Sequence, residues 1–249
     1  MYTLDSRFTD AAEGMYYTYE EDNQTKFLEI NNAFVHLSGI PKSELLAADP
    51  DTLFAPESLK KLPQKKKRLN QKGYVYSEDH LIGRNGVKLN VEIHSSKLRW
   101  GQRDIYFHVV KDISEKKWIA SQVRNKLILA SGILDQQMKI SSIYNHYAPL
   151  PFIEPEEGMQ GLSLFSFIDK TDLLKVRRCF AKSMEYRQEK QVTFLTNESY
   201  AYGAIKMKAT VKPLVNGSND VTKVAFVLCR ADNAEDLAEE FSPLMLACL

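Results

Sequence analysis

Side chains that could carry out chemistry are few and widely separated in this sequence. None of the histidines and cysteines lies at the short spacing that brings two metal ligands together. Glycine-rich phosphate loops and the H-E-x-x-H and G-x-S-x-G motifs of hydrolases do not occur either. We therefore predict no catalytic residue and no metal site. The histidines and cysteines are His36, His80, His94, His108, His146, Cys179, Cys229 and Cys248.

His108 is the histidine with two open interpretations. It stands between Phe107 and Val109 in a predicted strand. Its ring either contacts a ligand inside a cavity or is satisfied by hydrogen bonds within the sheet.

The most charged segment is the basic run 60–68, with lysines at 60, 61 and 65–67 and an arginine at 68. Such a run either meets nucleic acid or an acidic partner, or forms a solvated helix face. No aromatic residues are interleaved for base stacking, and the net charge of the chain is only +1. We therefore favour a solvated face and expect no nucleic-acid partner.

Composition sets the broad class of the protein. The 249 residues can form one large or two medium domains, and 44% hydrophobic and 26% charged residues are typical of globular proteins. The three cysteines form no disulfide framework, which indicates a reducing compartment. The sequence shows neither a signal peptide nor an apolar run long enough to span a membrane. The expected location is cytoplasmic, without a membrane partner.

The predicted elements follow the same order twice, although the two halves share little sequence identity. Residues 87–93 alternate apolar and polar side chains, as in a sheet with one buried face. Asn85-Gly86 before them predicts a hairpin with a type I′ turn, and Asn145 takes the place of Asn31 in the second copy. The predicted strands are 14–21, 26–30, 74–82, 87–98, 105–110, 132–137, 139–144, 191–195, 202–214 and 221–229, and the longer helices are 56–72, with an interruption at Pro63, and 169–186.

Three segments resemble the PAS family of sensory domains. Residues 27–46 are similar to its strand, Asn and Ala-Phe opening, 80–86 to its central hairpin, and 110–117, Val-Lys-Asp-Ile-Ser-Glu-Lys-Lys, to its D-I-T-E-R/K-K ending. The second half resembles the family more weakly, because that ending is missing. The resemblance implies an α+β fold of two PAS-like domains, each a five-stranded antiparallel sheet with short helices on one face, joined by a helix. The expected bounds are 1–117 for the first domain, 118–131 for the connecting helix, 132–233 for the divergent second domain and 234–249 for a C-terminal helix.

The resemblance also bears on cofactors. PAS relatives hold flavin or haem through a Cys in an Asn-Cys-Arg-Phe-type helix, or through a His or Trp in the helix before the central strands. The helices 56–72 and 169–186 contain no His or Trp, and Cys179 lies in the later helix. We therefore expect either no cofactor or an unknown small organic ligand.

All candidate ligand-binding residues come from the first copy, which is rich in amphipathic aromatic side chains. Such rings can line a small cavity and orient a ligand with their polar tips. They can equally pack with their hydroxyls towards solvent. The candidates are Tyr17, Asn31, Phe34, Phe54, Tyr76, Tyr106 and His108.

A narrow apolar stripe is predicted on the connecting helix. Ala120, Val123, Leu127 and Leu134 follow a spacing of three and four residues, which suits the seam of a parallel homodimer. The same stripe could pack on the sheet of its own domain.

The sequence therefore predicts a non-catalytic tandem sensory module. It would sense a small ligand or partner and relay the signal through flanking helices to an output such as a histidine kinase. Its expected partners are a second copy and an output domain or signalling partner. The alternatives are a flavin- or haem-bearing redox or gas sensor and a dimerisation scaffold of a transcription regulator, and fold-level analogy does not decide among outputs.

Overall fold

The computed structural model describes residues 6–22, 24–123, 128–146, 160–197 and 204–231. These residues divide into two compact units: those up to Lys117 together with Val215–Asp220 form one, and the other described residues form the second. The predicted C-terminal helix 234–249 lies outside the described residues.

The first unit is one five-stranded antiparallel sheet with short helices. Its strand order is β2-β1-β5-β4-β3. The elements are α1 Ser6–Thr9, β1 Gly14–Glu21, β2 Gln24–Ile30, α2 Asn32–Ser38, α3 Lys42–Ala47, a 3₁₀ turn Pro50–Leu53, α4 Pro56–Leu59, α5 Leu62–Lys72, β3 Tyr74–Ile82, β4 Lys88–Trp100, β5 Arg103–Asp112 and the start of α6 Ser114–Val123.

The second unit repeats this plan. Its strand order, β7-β6-β10-β9-β8, matches the first sheet position by position. The predicted fold class, two PAS-like antiparallel sheets with helices, is therefore confirmed. The elements after α6 are β6 Ile128–Leu134, β7 Ile140–His146, a 3₁₀ turn Leu164–Phe167, α7 Leu173–Tyr186, β8 Lys190–Leu195, β9 Lys206–Val215 and β10 Val221–Arg230.

Local chemistry explains where the first helices begin and end. Asn31 caps α2, because its side-chain oxygen accepts the backbone N–H of Phe34 at 3.0 Å. Gly39 ends the helix with φ +70° and donates its N–H to the carbonyl of Val35. The predicted helix 56–72 is two helices, and Pro63 lies in the first turn of α5 rather than at the break.

The hairpin between β3 and β4 is confirmed, but its predicted turn type is wrong. Only Gly86 has positive φ, +73°, whereas a type I′ turn needs positive φ at both central residues. The N–H of Gly86 bonds the carbonyl of Gly83 at 3.0 Å, and the N–H of Gly83 bonds that of Val87 at 2.8 Å. The loop is therefore longer than a two-residue type I′ turn. Gly86 takes the left-handed conformation at the end of the turn that begins at Gly83.

The largest correction concerns the connecting helix. The described part of α6 ends at Val123, residues 124–127 lie outside the described residues, and β6 starts at Ile128. Leu134 therefore lies in a strand and is fully buried in the core of the second unit, while Ala120 is exposed on α6. The run 128–134 is buried along its whole length, and strands buried on both faces are apolar throughout. Leu134 matched the spacing of the helical stripe by coincidence.

Two further predictions for the second half also need correction, namely the bounds of its opening strands and the role of Asn145. The opening strands lie at Ile128–Leu134 and Ile140–His146 rather than at 132–137 and 139–144. Asn145 lies inside β7, opposite Ser131, whereas Asn31 follows β2 and caps a helix. The predicted equivalence of Asn145 and Asn31 is therefore wrong.

Candidate functional site

The inner face of the first sheet carries an unusual concentration of polar side chains. Alternate residues of a strand point to the same face, so Thr18 of β1, Ser95 of β4 and the even-numbered Tyr106 and His108 of β5 share one side. The register places Tyr16 opposite His108 and Ser95 opposite His108. These residues line a cavity of about 70 Å³.

Helix α5 and the segment before it close this cavity. Leu62, Lys65, Lys66 and Leu69 of α5 line it, and Phe54 contributes a ring. The apolar lining is completed by Pro50, Val75 and Ile93, and the polar lining by Glu20, Thr25, Asp51, Asn70, Ser77 and Asp79. The cavity therefore offers both an apolar wall and many hydrogen-bonding groups, as ligand sites do.

Both ring nitrogens of His108 form hydrogen bonds with hydroxyl groups. Its Nε2 lies 3.0 Å from Thr18 Oγ1, and its Nδ1 lies 2.7 Å from Ser95 Oγ. The ring also stacks on Tyr16, with centroids 4.5 Å apart. Burial, with a smaller contribution from the positive charge of Lys66, lowers the pKa of His108 to about 3. His108 is therefore neutral at physiological pH.

A buried ion pair joins α5 to the sheet. Lys65 Nζ contacts Asp79 Oδ1, and only 1% of the Asp79 side chain is exposed. The other oxygen of Asp79 accepts the Ser77 hydroxyl at 2.7 Å. Both carboxylate oxygens are thus satisfied, which a buried charge requires.

The next lysine of α5 makes a second connection. Lys66 Nζ lies 2.6 Å from Asp51 Oδ2 and 2.8 Å from Thr25 Oγ1. Two neighbouring lysines of α5 are therefore bound to two aspartates from different elements. The prediction of a wholly solvated basic run is wrong for these two residues, whereas Lys67 and Arg68 are exposed.

Two tyrosines complete the polar network. The Tyr106 hydroxyl donates to Asn70 Oδ1 at 2.8 Å, and burial raises the pKa of Tyr106. Burial also raises the pKa of Tyr16 well above its ordinary value, helped by the negative charges of Asp51 and Asp79. Both phenols therefore stay protonated and can act as donors.

Three of the seven ligand-binding candidates line the cavity, namely Phe54, Tyr106 and His108. Phe34 is fully buried in the apolar core instead. The Asn31 side chain bonds only backbone groups here. Its Oδ1 accepts the backbone N–H groups of Met15 and Phe34, and its Nδ2 donates to the carbonyls of Phe8 and Glu13.

The remaining two candidates, Tyr17 and Tyr76, lie on the opposite face of the sheet. Tyr17 packs against Phe8 and Phe107. Tyr76 is 52% exposed, and its hydroxyl donates to Glu92 at 3.0 Å. The physical reason is the two-residue period of a strand, since Tyr16 and Val75 already take the inner face.

The site residues that the sequence analysis missed are polar ones. Ser77 and Asp79 share the strand face of Val75 and of the buried Leu81, so strand alternation could have placed them inside. Lys65 and Lys66 carry no such signal, because a charged run on a helix is usually solvated.

The corresponding inner face of the second sheet is apolar. Met207, Ala209 and Val211 of β9 pack with Val176 and Phe180 of α7 in one buried cluster. The polar lining is therefore a feature of the first unit.

Two features are absent from the described part of the chain. That part contains no group of three or more side chains that could hold a metal ion. None of its helices is long and apolar enough to span a membrane.

Comparison with known proteins finds a family match within the first unit. Residues 13–115 match the model of the PAS domain, and the two sheets fit a tandem PAS arrangement. No curated protein matches the chain.

Several solved structures are similar to part of the chain. A PAS domain from a two-component sensor histidine kinase is 17% identical over 43% of this chain and 90% of its own, with a TM-score of 0.37. The PAS domain of an HTR-like protein from Haloarcula marismortui is 16% identical over 43% and 87%, with a TM-score of 0.39. A light-oxygen-voltage domain studied with a flavin analogue is 18% identical over 49% and 94%, with a TM-score of 0.40.

Proposed function

Since residues 13–115 belong to the PAS domain family, we propose that this chain is a non-catalytic tandem sensory module whose first domain binds a small molecule. The observation that carries the proposal is the cavity between the sheet and α5, with its polar lining from β1, β3, β4 and β5. A domain that only needed a core would fill this space with apolar side chains, as the second unit does.

The size and charge of the cavity narrow the class of ligand. The cavity of about 70 Å³ is several times larger than the roughly 10–15 Å³ that a single water molecule requires, so it suits a small organic molecule. Flavin and haem, with several fused rings each, would require α5 to move away from the sheet. Lys65 and Lys66 are already paired with Asp79 and Asp51, so the site favours a ligand without net charge that offers hydrogen-bond acceptors.

Strand β5 provides a route for the signal. It carries Tyr106 and His108 into the cavity and continues, one residue after its end, into α6. Trp118 and Ile119 of α6 are buried in an apolar cluster of the second unit with Ile128 and Ile133. A ligand that shifts β5 would therefore displace the start of α6, while the buried side chains of Trp118 and Ile119 hold the rest of that helix in place. We further propose that the chain works in the cytoplasm as a homodimer and passes its signal to an output such as a histidine kinase.

Mass spectrometry of small molecules released from the purified chain tests the proposal. Wild type should release a stoichiometric small molecule on denaturation. Val75→Phe should release much less, because the larger side chain enters the cavity and the replaced valine side chain makes no hydrogen bond. Tyr76→Phe is the matched control, since the neighbouring residue faces away from the cavity and should leave the yield unchanged.

Two results would contradict the proposal. Equal yields from wild type and Val75→Phe would show that the molecule does not occupy this cavity. Absorption bands between about 350 and 450 nm, as expected of flavin or haem, would favour the coloured-cofactor sensor instead. Hydrogen exchange tests the relay: occupancy of the cavity should slow exchange in α6, and unchanged exchange there would argue against β5 as the route.

A further inference from the structure

A basic groove lies along α7 and β8 of the second unit. Four of the ten residues that line it are cationic and none is acidic. The cations are Lys175, Arg178 and Lys182 of α7 and Lys190 of β8. The groove therefore presents one sign of charge along its length.

Most of these cations lack a counter-charge. Lys175 pairs with Asp172 at 2.6 Å, but Arg178, Lys182 and Lys190 have no acidic partner within the described ranges. Residues three and four apart lie on one helix face, where like charges destabilise each other. An anionic partner would relieve this repulsion.

The other wall of the groove is the edge of a sheet. Strand β8 is last in the order β7-β6-β10-β9-β8. The N–H of Leu195 bonds the Asp172 carboxylate at 2.8 Å, and its carbonyl accepts the N–H of Asp169 at 2.9 Å. The backbone of Leu195 thus points away from β9, and in an antiparallel strand every second residue shares this orientation. Thr193, two residues earlier, therefore directs its N–H and C=O to the outer edge, where an added strand can pair.

The groove also offers an apolar contact and a defined length. Leu174 lines it and is 60% exposed. The stretch of α7 and its preceding turn from Thr171 to Lys182 spans roughly 16 Å at about 1.5 Å per residue. An extended chain covers that distance with about five residues.

We propose that this groove binds an extended acidic peptide segment of a partner protein, about five residues long. Its carboxylates would pair with Arg178, Lys182 and Lys190, and an apolar side chain would lie on Leu174. Its backbone would pair with the edge of β8 at Thr193. A peptide fits better than a nucleic acid, because no aromatic residue lines the groove for base stacking.

Fluorescence anisotropy with the full chain tests this proposal. The probe is a labelled peptide of about six residues, glutamates around one central leucine, and the control probe replaces the glutamates with lysines. The acidic probe should bind saturably and weaken as salt rises, because salt screens exposed charges. Arg178→Glu combined with Lys182→Glu should lower its affinity at least about tenfold, since each charge reversal replaces attraction with repulsion. Lys67→Glu combined with Arg68→Glu makes the same change of charge on exposed α5 positions and should have no effect.

Several outcomes would overturn the proposal. The first is that the acidic probe does not bind at concentrations up to about 1 mM. The second is that the control charge reversal on α5 lowers the affinity for the probe as much as the reversal in the groove. The third is that a single-stranded oligonucleotide binds more tightly than the acidic probe and loses its binding when the groove charges are reversed. A probe with proline at its centre loses a backbone donor and should bind more weakly. Equal binding of the proline probe would contradict pairing with β8.

Discussion

The Nδ1 atom of His108 lies 2.7 Å from the hydroxyl oxygen of Ser95 on the neighbouring strand, while Nε2 lies 3.0 Å from Thr18. A neutral imidazole has one N–H and one bare nitrogen, so one hydroxyl donates to the ring and the other accepts from it. Protonation would leave two donors facing these hydroxyls in a buried place. The geometry and the low pKa of His108, about 3, therefore agree that the ring is neutral when the protein is folded.

This histidine should make stability depend on pH. A folded-state pKa below the unfolded value of about 6.5 means that the unfolded chain binds the proton first. The contribution of neutral His108 is then complete above pH 6.5 and is lost as the pH falls towards 3. At pH 5.5 the loss should be about 1.4 kcal/mol.

The variant His108→Gln isolates this effect from the other titrating groups. It keeps hydrogen-bonding capacity towards Ser95 and Thr18 but cannot titrate. The stability difference between wild type and variant, from urea unfolding at pH 7.5 and 5.5, should shift by about 1.4 kcal/mol in favour of the variant at the lower pH. A difference that is the same at both pH values would show that His108 titrates normally.

Removal of Lys65 should destabilise the first domain more than removal of its exposed neighbour Lys67. Lys65→Met leaves the buried Asp79 carboxylate without its counter-charge, which we expect to cost on the order of 3 kcal/mol. Lys67→Met should change stability by less than about 0.5 kcal/mol. The double variant Lys65→Met with Asp79→Leu should recover much of the loss, because no buried charge remains. Urea unfolding measures all three, and equal effects of the two lysine variants would refute a buried pair.

Much of the fold could be predicted because its signals are local. Hydrophobic alternation indicated β4, and Gly39 indicated the end of α2. The connecting helix was predicted wrongly because strand 128–134 is buried on both faces and, apart from Ser131, contains only apolar residues and glycine. A short apolar run fits a helix or a strand equally well by spacing.

The cavity was harder to predict because it depends on contacts distant in sequence. Lys65 meets Asp79 from a different element, and Tyr106 meets Asn70 across 36 residues. The choice between Tyr16 and Tyr17, however, depends only on strand alternation. Knowing which faces of β1 and β3 are buried would have placed Tyr17 and Tyr76 outside the site.

Val91→Asp should unfold the first domain, because Val91 is fully buried on the inner face of β4 opposite Asp79. The Asp79 carboxylate already pairs with Lys65, so a second buried carboxylate beside it would be costly. Lys88→Gln is the matched change on the exposed end of the same strand. Lys88 pairs with the exposed Glu57, and such pairs contribute about 0–1 kcal/mol, so this variant should remain folded. Circular dichroism and thermal melting compare them, and a folded Val91→Asp domain would contradict burial of this face.

Leu134→Ala distinguishes a core strand from a helical seam. Leu134 is fully buried among residues of the second sheet, so its truncation should destabilise the second domain by about 2–5 kcal/mol. Ala120→Ser, at an exposed position of α6, should change stability by no more than about 0.5 kcal/mol. Chemical denaturation gives the stability of each variant, and sedimentation gives its oligomeric state. If Leu134→Ala instead keeps its stability and only loses self-association, Leu134 belongs to a seam between copies, and its placement in the core of the second domain is wrong.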